Sequence, residues 1–169
     1  MSGLMMPPLS LAQIREKAKA VRKIFGLADD GYVDVVKLFE SLPDYGVDVE
    51  VAPLHQMGNK HGQTFPTQPK ILIREDVYER ACMGFGRDRL TIAHEIGHLL
   101  LHGADNISLA RVAKDCEVAI WCDPEWQANA FAGELLAPFR FIKGLSIPEI
   151  QRQYGVSEQA ARVQKTRRK

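Results

Sequence analysis

Apolar positions in this chain follow two rhythms. A period near 3.6 residues dominates, and one short central stretch alternates with a period of two. Leu11, Ile14, Ala18, Val21 and Phe25 recur at helical spacing with charges between them. That spacing predicts a helix opening at Ser10, where Ser10 and Gln13 form a capping-box pair, and stopping near Gly26. A shorter helix is expected after Asp34, carrying Val35, Leu38, Phe39 and Leu42 up to Pro43. The rhythm then changes. Val47, Val49 and Val51 alternate with acidic residues, which predicts a half-buried strand. Residues 53–69 are rich in Gly, Pro, Asn and Gln and read as loop, with one irregular strand around Gln63–Phe65. The short apolar run Ile71–Ile73 reads as a further strand, so a small sheet of about three strands is expected.

From Asp88 the helical period returns. Leu90, Ile92, Ala93, Ile96, Gly97, Leu99, Leu100 and Leu101 are apolar almost all round, which predicts a helix buried at the domain centre. Gly103 is its expected C-terminal cap. Residues 104–122 carry no clear period, and Ile107–Val118 is compatible with a helix or with an irregular excursion. Asp123-Pro124 predicts a helix start, with Asp as cap and Pro at the first position. That helix should pass through Ala128, Phe131, Ala132 and Leu135 to about Ala137, where Pro138 limits it. Ser146 and Glu149 form a second capping box, opening a helix that ends at Gly155, and Ser157 caps one more. The basic tail from Arg162 to Lys169 is expected to fray. The whole reads as an α+β, mostly helical single domain. Residues 1–145 would form its main body. Residues 146–169 would form a C-terminal helical segment that resembles a helix-turn-helix, packed on the same domain.

Composition narrows this picture without redirecting it. A chain of 169 residues, 46% hydrophobic and 25% charged, suits one globular domain with a real core. A formal net charge of +1 announces no global field for nucleic acid or membrane. Met1 to Pro8 lack a basic region followed by an apolar run, so no secretory signal is expected, and no stretch is long enough to span a bilayer. Three cysteines, Cys82, Cys116 and Cys122, are too few and too odd for a disulfide scaffold and fit a reducing cytoplasm. The separation of Cys116 from Cys122 also suits a zinc knuckle poorly.

The chemistry lies in the central helix. His94-Glu95-Ile96-Gly97-His98 is an H-E-x-x-H motif. Positions four apart share a helix face, so His94 and His98 can aim two imidazoles at one zinc ion. Glu95 is then placed to reach a water rather than the metal. A carboxylate in so apolar a helix would be costly to bury without a partner, which a metal site supplies. A third ligand is needed. His102 shares the face, but His94 and His102 are about 12 Å apart along the axis at 1.5 Å per residue, too far to share one ion. It reads instead as a helix-end histidine near terminal carbonyls. The longer motif with a third histidine would need it at position 104, where Ala104 stands. Glu125, in the first turn of the next helix, is the leading candidate. Asn129, one turn on, could accept from the free N–H of a ligand histidine. Spacing leaves Asp115, Glu117, Asp123 and Cys122 as rivals.

These residues resemble the ImmA/IrrE family of metallopeptidases. The run Arg89-Leu90-Thr91-Ile92-Ala93-His94-Glu95-Ile96-Gly97-His98-Leu99-Leu100-Leu101-His102 is similar to the family's R-F-T-x-A-H-E-x-G-H-x-L-x-H block. The run Glu125-Trp126-Gln127-Ala128-Asn129-Ala130-Phe131-Ala132-Gly133-Glu134-Leu135-Leu136-Ala137-Pro138 is similar to its second, E-x-x-A-N-x-F-A-x-x-L-L-M-P. The resemblance implies a gluzincin-like minimal metallopeptidase with a short sheet beside the zinc helix. It implies one Zn2+ held by His94, His98 and Glu125, with Glu95 as general base. It also implies a protein substrate, a helix-turn-helix transcriptional repressor, in phage, mobile-element or stress regulation. Leu90, Gly133 and Ala137 depart from the family's usual Phe, Ala and Met, and none of these departures removes a ligand.

His55, His61 and Tyr78 are the candidate donors to an oxyanion. The strand before the zinc helix could pair with an extended substrate. Two other readings compete. A non-catalytic regulatory protein would bind a repressor or antitoxin around a structural or vestigial zinc, but it would not need Glu95. DNA binding through the C-terminal helices, aided by the basic tail, is the weaker alternative, with domain packing as the plainer role for those helices.

Overall fold

The computed structural model describes residues 6–103 and 119–167. The segment Ile107–Val118, together with Asp115, Cys116 and Glu117, lies outside the described residues.

The N-terminal helix α1 (Leu11–Ile24) is capped by Ser10, and the reciprocal bonds between Ser10 and Gln13 are both present. Helix α2 (Val35–Ser41) is capped by Asp34 and runs into a 3-10 turn at Leu42–Tyr45 that contains Pro43. Three strands follow, β1 (Asp48–Ala52), β2 (Gly62–Phe65) and β3 (Lys70–Arg74), with a single-turn helix α3 (Leu54–Met57) after β1. The sheet order is β1-β3-β2. β1 runs parallel to β3, with Val49 opposite Ile71, and β2 runs antiparallel to it, with Thr64 opposite Ile71. β3 is therefore the central strand. The strand directly before the helices has both edges paired, and the sheet edge nearest the zinc-motif helix belongs to β2.

Pleating sorts β3 by face. Ile71 and Ile73 are fully buried in the main core. Leu72 points the other way, into a small second cluster with Ala52, Met57 and Phe65. The same alternation in β1 is cut short. Val47 and Val49 pack on the core, but Val51 is 41% exposed, although its partner Ile73 on the central strand is fully buried.

Helix α4 (Glu75–Cys82) leads into α5 (Gly86–Leu101), which carries the motif at the centre of the molecule. Ile92, Ala93 and Ile96 are essentially inaccessible, and each fully buried isoleucine contributes about 1.5–3 kcal/mol. α5 ends at His102 with φ −120°, and Gly103 does not take the left-handed cap conformation expected of it. After a 3-10 turn (Ile120–Cys122), Asp123 caps α6 (Pro124–Leu136), the closest partner of α5. Short α7 (Phe139–Ile142), then α8 (Ile147–Tyr154) and α9 (Glu158–Thr166), complete the chain. The Ser146–Glu149 box, the left-handed Gly155 stop and the Ser157 cap all stand where the sequence places them. The chain is a mostly helical single domain with a three-stranded mixed sheet. Among the described residues no helix is long and apolar enough to cross a membrane.

Two buried arginines tie these helices together through carbonyls. Arg22 of α1 donates to Leu135 O at the end of α6 at 2.7 and 3.0 Å. Arg89 of α5 donates to Tyr154 O at the end of α8 at 2.9 Å, and to Gly155 O beyond it, with Tyr32 stacked on its guanidinium. Each places a cation at the negative end of a helix. α9 docks on α6 through Gln164, whose amide donates to buried Glu134 at 2.9 Å, and through Arg167, which donates to Asn129 O at 3.0 Å. Gly133 gives that approach room. A β-carbon there would lie 2.3 Å from Gln164 Oε1 and 2.7 Å from Arg167 Nη1.

Candidate metal centre

Two helices bring three donors to one point. His94 and His98 share the face of α5 turned toward α6, and Glu125 stands in the first turn of α6. The helices meet closely because Gly97 lies at the crossing, where a β-carbon would come within 3.0 Å of the Phe131 ring and 3.2 Å of Ala128 O. Asp123 sets the start of α6 by accepting from the Glu125 backbone N–H at 3.0 Å.

The donor groups lie close together. His94 Nε2 and His98 Nε2 are 2.9 Å apart, Glu125 Oε2 lies 3.3 Å from the first and Glu125 Oε1 3.2 Å from the second. Atoms held tetrahedrally about 2.0–2.1 Å from zinc are about 3.3 Å from one another, so the set has the right size. Among the described residues, His94, His98 and Glu125 form the one such grouping of metal-ligating side chains. The two nitrogens could be taken as hydrogen-bonded to each other, but His94 already uses its Nδ1–H on Asn129 Oδ1 at 2.9 Å. His98 Nδ1 is likewise engaged, 3.0 Å from His102 Nδ1. Burial, reinforced by His94 and His102, pushes His98 down to a pKa of about 3. With both Nδ1 atoms engaged, the two Nε2 atoms are left facing the Glu125 carboxylate and each other, and the donor set fits a divalent metal.

Of the rivals, Asp123 is committed to the helix cap. Cys122 is buried outside the grouping. Asp115 and Glu117 fall outside the described residues. His102 does stand at the end of α5, but its ring bonds neighbouring side chains rather than terminal carbonyls. It is 3% exposed and sits between His98 and Gln127, with Nε2 at 2.9 Å from Gln127 Oε1.

Glu95 points to the sheet side of α5. It is 7% exposed, and its Oε2 accepts from the Thr64 hydroxyl at 2.6 Å. Gly62 leaves room for it, since a β-carbon there would lie 2.6 Å from Glu95 Cγ and 2.9 Å from Oε1. Burial raises the Glu95 carboxyl, opposed by Thr64 and His94 and assisted by Glu125. The carboxyl is therefore within electrostatic reach of the donor cluster. Sequence reasoning missed Gly62 and Thr64. Thr64 falls in the irregular strand expected around Gln63–Phe65 and Gly62 just before it, but no local pattern connects either to a helix thirty residues later.

A cleft of about 940 Å³ reaches the cluster at His94. His94 and Glu95 line it together with His61, Gly62, and Gln159 and Val163 of α9. His61 therefore borders the site. Tyr78 does not, because it packs beside Phe39 and its hydroxyl bonds Glu40. His55 is exposed on α3, outside the residues that border the cleft.

Known proteins resemble this chain in family and in fold. A family model described as the IrrE N-terminal-like domain, peptidase family M78, matches residues 43–164. A solved structure described as a Mycobacterium tuberculosis transcriptional regulator superposes on 92% of the chain with a TM-score of 0.60 and 20% identity. The chain covers 47% of that protein, about half its length. Among curated protein sequences there is no match.

Proposed function

This chain belongs to the IrrE N-terminal-like family of peptidases, the ImmA/IrrE metallopeptidases, and from that premise we propose that it is a zinc-dependent endopeptidase acting on a protein. The observation that carries the proposal is the convergence of three donors, His94 Nε2, His98 Nε2 and the Glu125 carboxylate, with His94 and the buried Glu95 together lining an open cleft.

When bound, zinc supplies Lewis acidity toward a water and toward the scissile carbonyl. The remaining work falls to this chain. Glu95 takes the proton of the attacking water and delivers it to the leaving amine. The Thr64 hydroxyl holds one Glu95 oxygen, which sets the carboxylate's rotamer before substrate arrives. Asn129 orients His94 through Nδ1, which keeps the Nε2 lone pair directed at the cluster. His61 is the donor best placed for the oxyanion, because it borders the cleft. An extended substrate segment pairs with the outer edge of β2 rather than with β3, whose edges are both taken.

The substrate we favour is a helix-turn-helix repressor, on the strength of the two sequence blocks shared with the family. Residues 1–145 then form the peptidase body, and 146–169 close it. α9 borders the cleft with Gln159 and Val163, which favours a role in packing and substrate contact over DNA binding. A cytoplasmic location fits that substrate. The non-catalytic alternative has no use for a carboxylate buried at some cost beside the donors. The test is mass analysis of a repressor from a neighbouring gene after incubation with this protein and zinc. Fragments that vanish with chelator support the proposal. An intact repressor bound in a stable complex favours the non-catalytic reading.

A further inference from the structure

Behind His98 a chain of hydrogen bonds runs away from the cleft to the backbone, and its direction can be worked out from the far end. The Gln127 amide nitrogen lies 2.9 Å from Pro7 O and 2.7 Å from Trp121 O. Two carbonyls accept only, so this atom is the NH2 group, and Gln127 Oε1 must face His102. An amide oxygen also accepts only, so His102 Nε2, 2.9 Å away, carries the proton. Buried between an imidazole and an amide, with no carboxylate bonded to it, His102 is neutral and has its lone pair on Nδ1. At 3.0 Å that lone pair accepts from His98 Nδ1–H. His98 is left with its lone pair on Nε2, the atom that faces His94 and Glu125. His102 and Gln127 are 3% and 0% exposed, so water does not scramble the sequence.

We infer that His102 and Gln127 are positioning residues which fix the tautomer of His98, and that two backbone carbonyls, Pro7 O and Trp121 O, set the direction of the relay. The inference rests on the metal-site reading above. It assigns His102 a role different from a ligand and from a helix-end cap. It also joins the metal centre to the segment before α1, where Met6 N and Leu9 N donate to Cys122 O and Trp121 O at 3.0 Å.

The test compares His102→Phe with His102→Gln. Phe keeps a ring of similar size and removes the acceptor, while Gln keeps an acceptor and loses the ring. Zinc affinity by chelator competition should fall about 10–100-fold in His102→Phe and return to within a few-fold of the parent in His102→Gln. The reverse ranking, or equal losses, would make His102 a packing residue and overturn the inference. A second readout needs neither zinc nor a substitution. Long-range proton–nitrogen correlation of the imidazoles in the chelator-treated protein should place the His98 proton on Nδ1 and the His102 proton on Nε2. A His98 proton on Nε2 would refute the relay. If the parent protein holds no zinc but the tautomers are as stated, the relay stands and the metallopeptidase reading fails.

Discussion

The α5–α6 crossing and strand β2 serve the same centre in opposite ways. The helix pair supplies donors from within two continuous segments, at spacings set by helical geometry. β2 supplies no donor. It supplies a gap, Gly62, and one hydroxyl, Thr64, and between them Glu95 is held in place. The difference teaches that metal retention and proton handling are built by separate parts of the fold and should fail separately.

Glu95→Gln gives the largest contrast. It should retain zinc and lower kcat about 10²–10⁴-fold, measured as repressor cleavage alongside metal content. Unimpaired cleavage would remove Glu95 from its role. Glu125→Ala should do the opposite and lose zinc on dialysis, read by metal analysis. An unchanged stoichiometry would point to one of the rivals in 104–122. Gly62→Ala is the sharper form of the first experiment, because it leaves the donors and the carboxylate of the base chemically intact. Its β-carbon displaces Glu95, so cleavage should drop by at least about 10²-fold with zinc retained. Loss of zinc instead would show that the two regions are not separable. Thr64→Val removes a hydrogen bond to a buried carboxylate at a cost of about 1–3 kcal/mol, which is roughly 5–150-fold in rate, and Thr64→Ser should restore it.

Gly133→Ala should have the smallest effect. The new methyl presses on the tips of Gln164 and Arg167. Helix propensity returns about 1 kcal/mol against an overpacking cost of about 1–3 kcal/mol, so the melting temperature should shift by only a few degrees.

The same contrast explains how much of the molecule was legible in its sequence. Helices α1, α6, α8 and α9 announce themselves because their caps and apolar faces are local. Ser10–Gln13, Asp123-Pro124 and Ser146–Glu149 each close on themselves within a few residues. The donors were legible for the same reason, since His94 and His98 lie one turn apart and Glu125 sits at a marked helix start. α4 was not read. It buries only Val77 and Ala81, and an ion ladder holds it, in which Arg80 joins Asp76 at 3.0 Å and Asp88 at 2.9 Å. Charges spaced like that also suit a loop. α3 and α7 are single turns, too short to show a period. His102 was placed on the correct face but given the wrong partners, because the Gln127 amide that engages it comes from another helix. The cradle of Glu95 was out of reach altogether, since the sheet register that sets Thr64 beside α5 is a long-range fact.

The central claim is that His94, His98 and Glu125 share one zinc ion that still has room for water. X-ray absorption at the zinc edge tests it most directly. The account predicts one zinc per chain with two imidazoles and only oxygen otherwise in its shell. A sulfur neighbour at about 2.3 Å, or a folded protein that takes up no zinc, would contradict it.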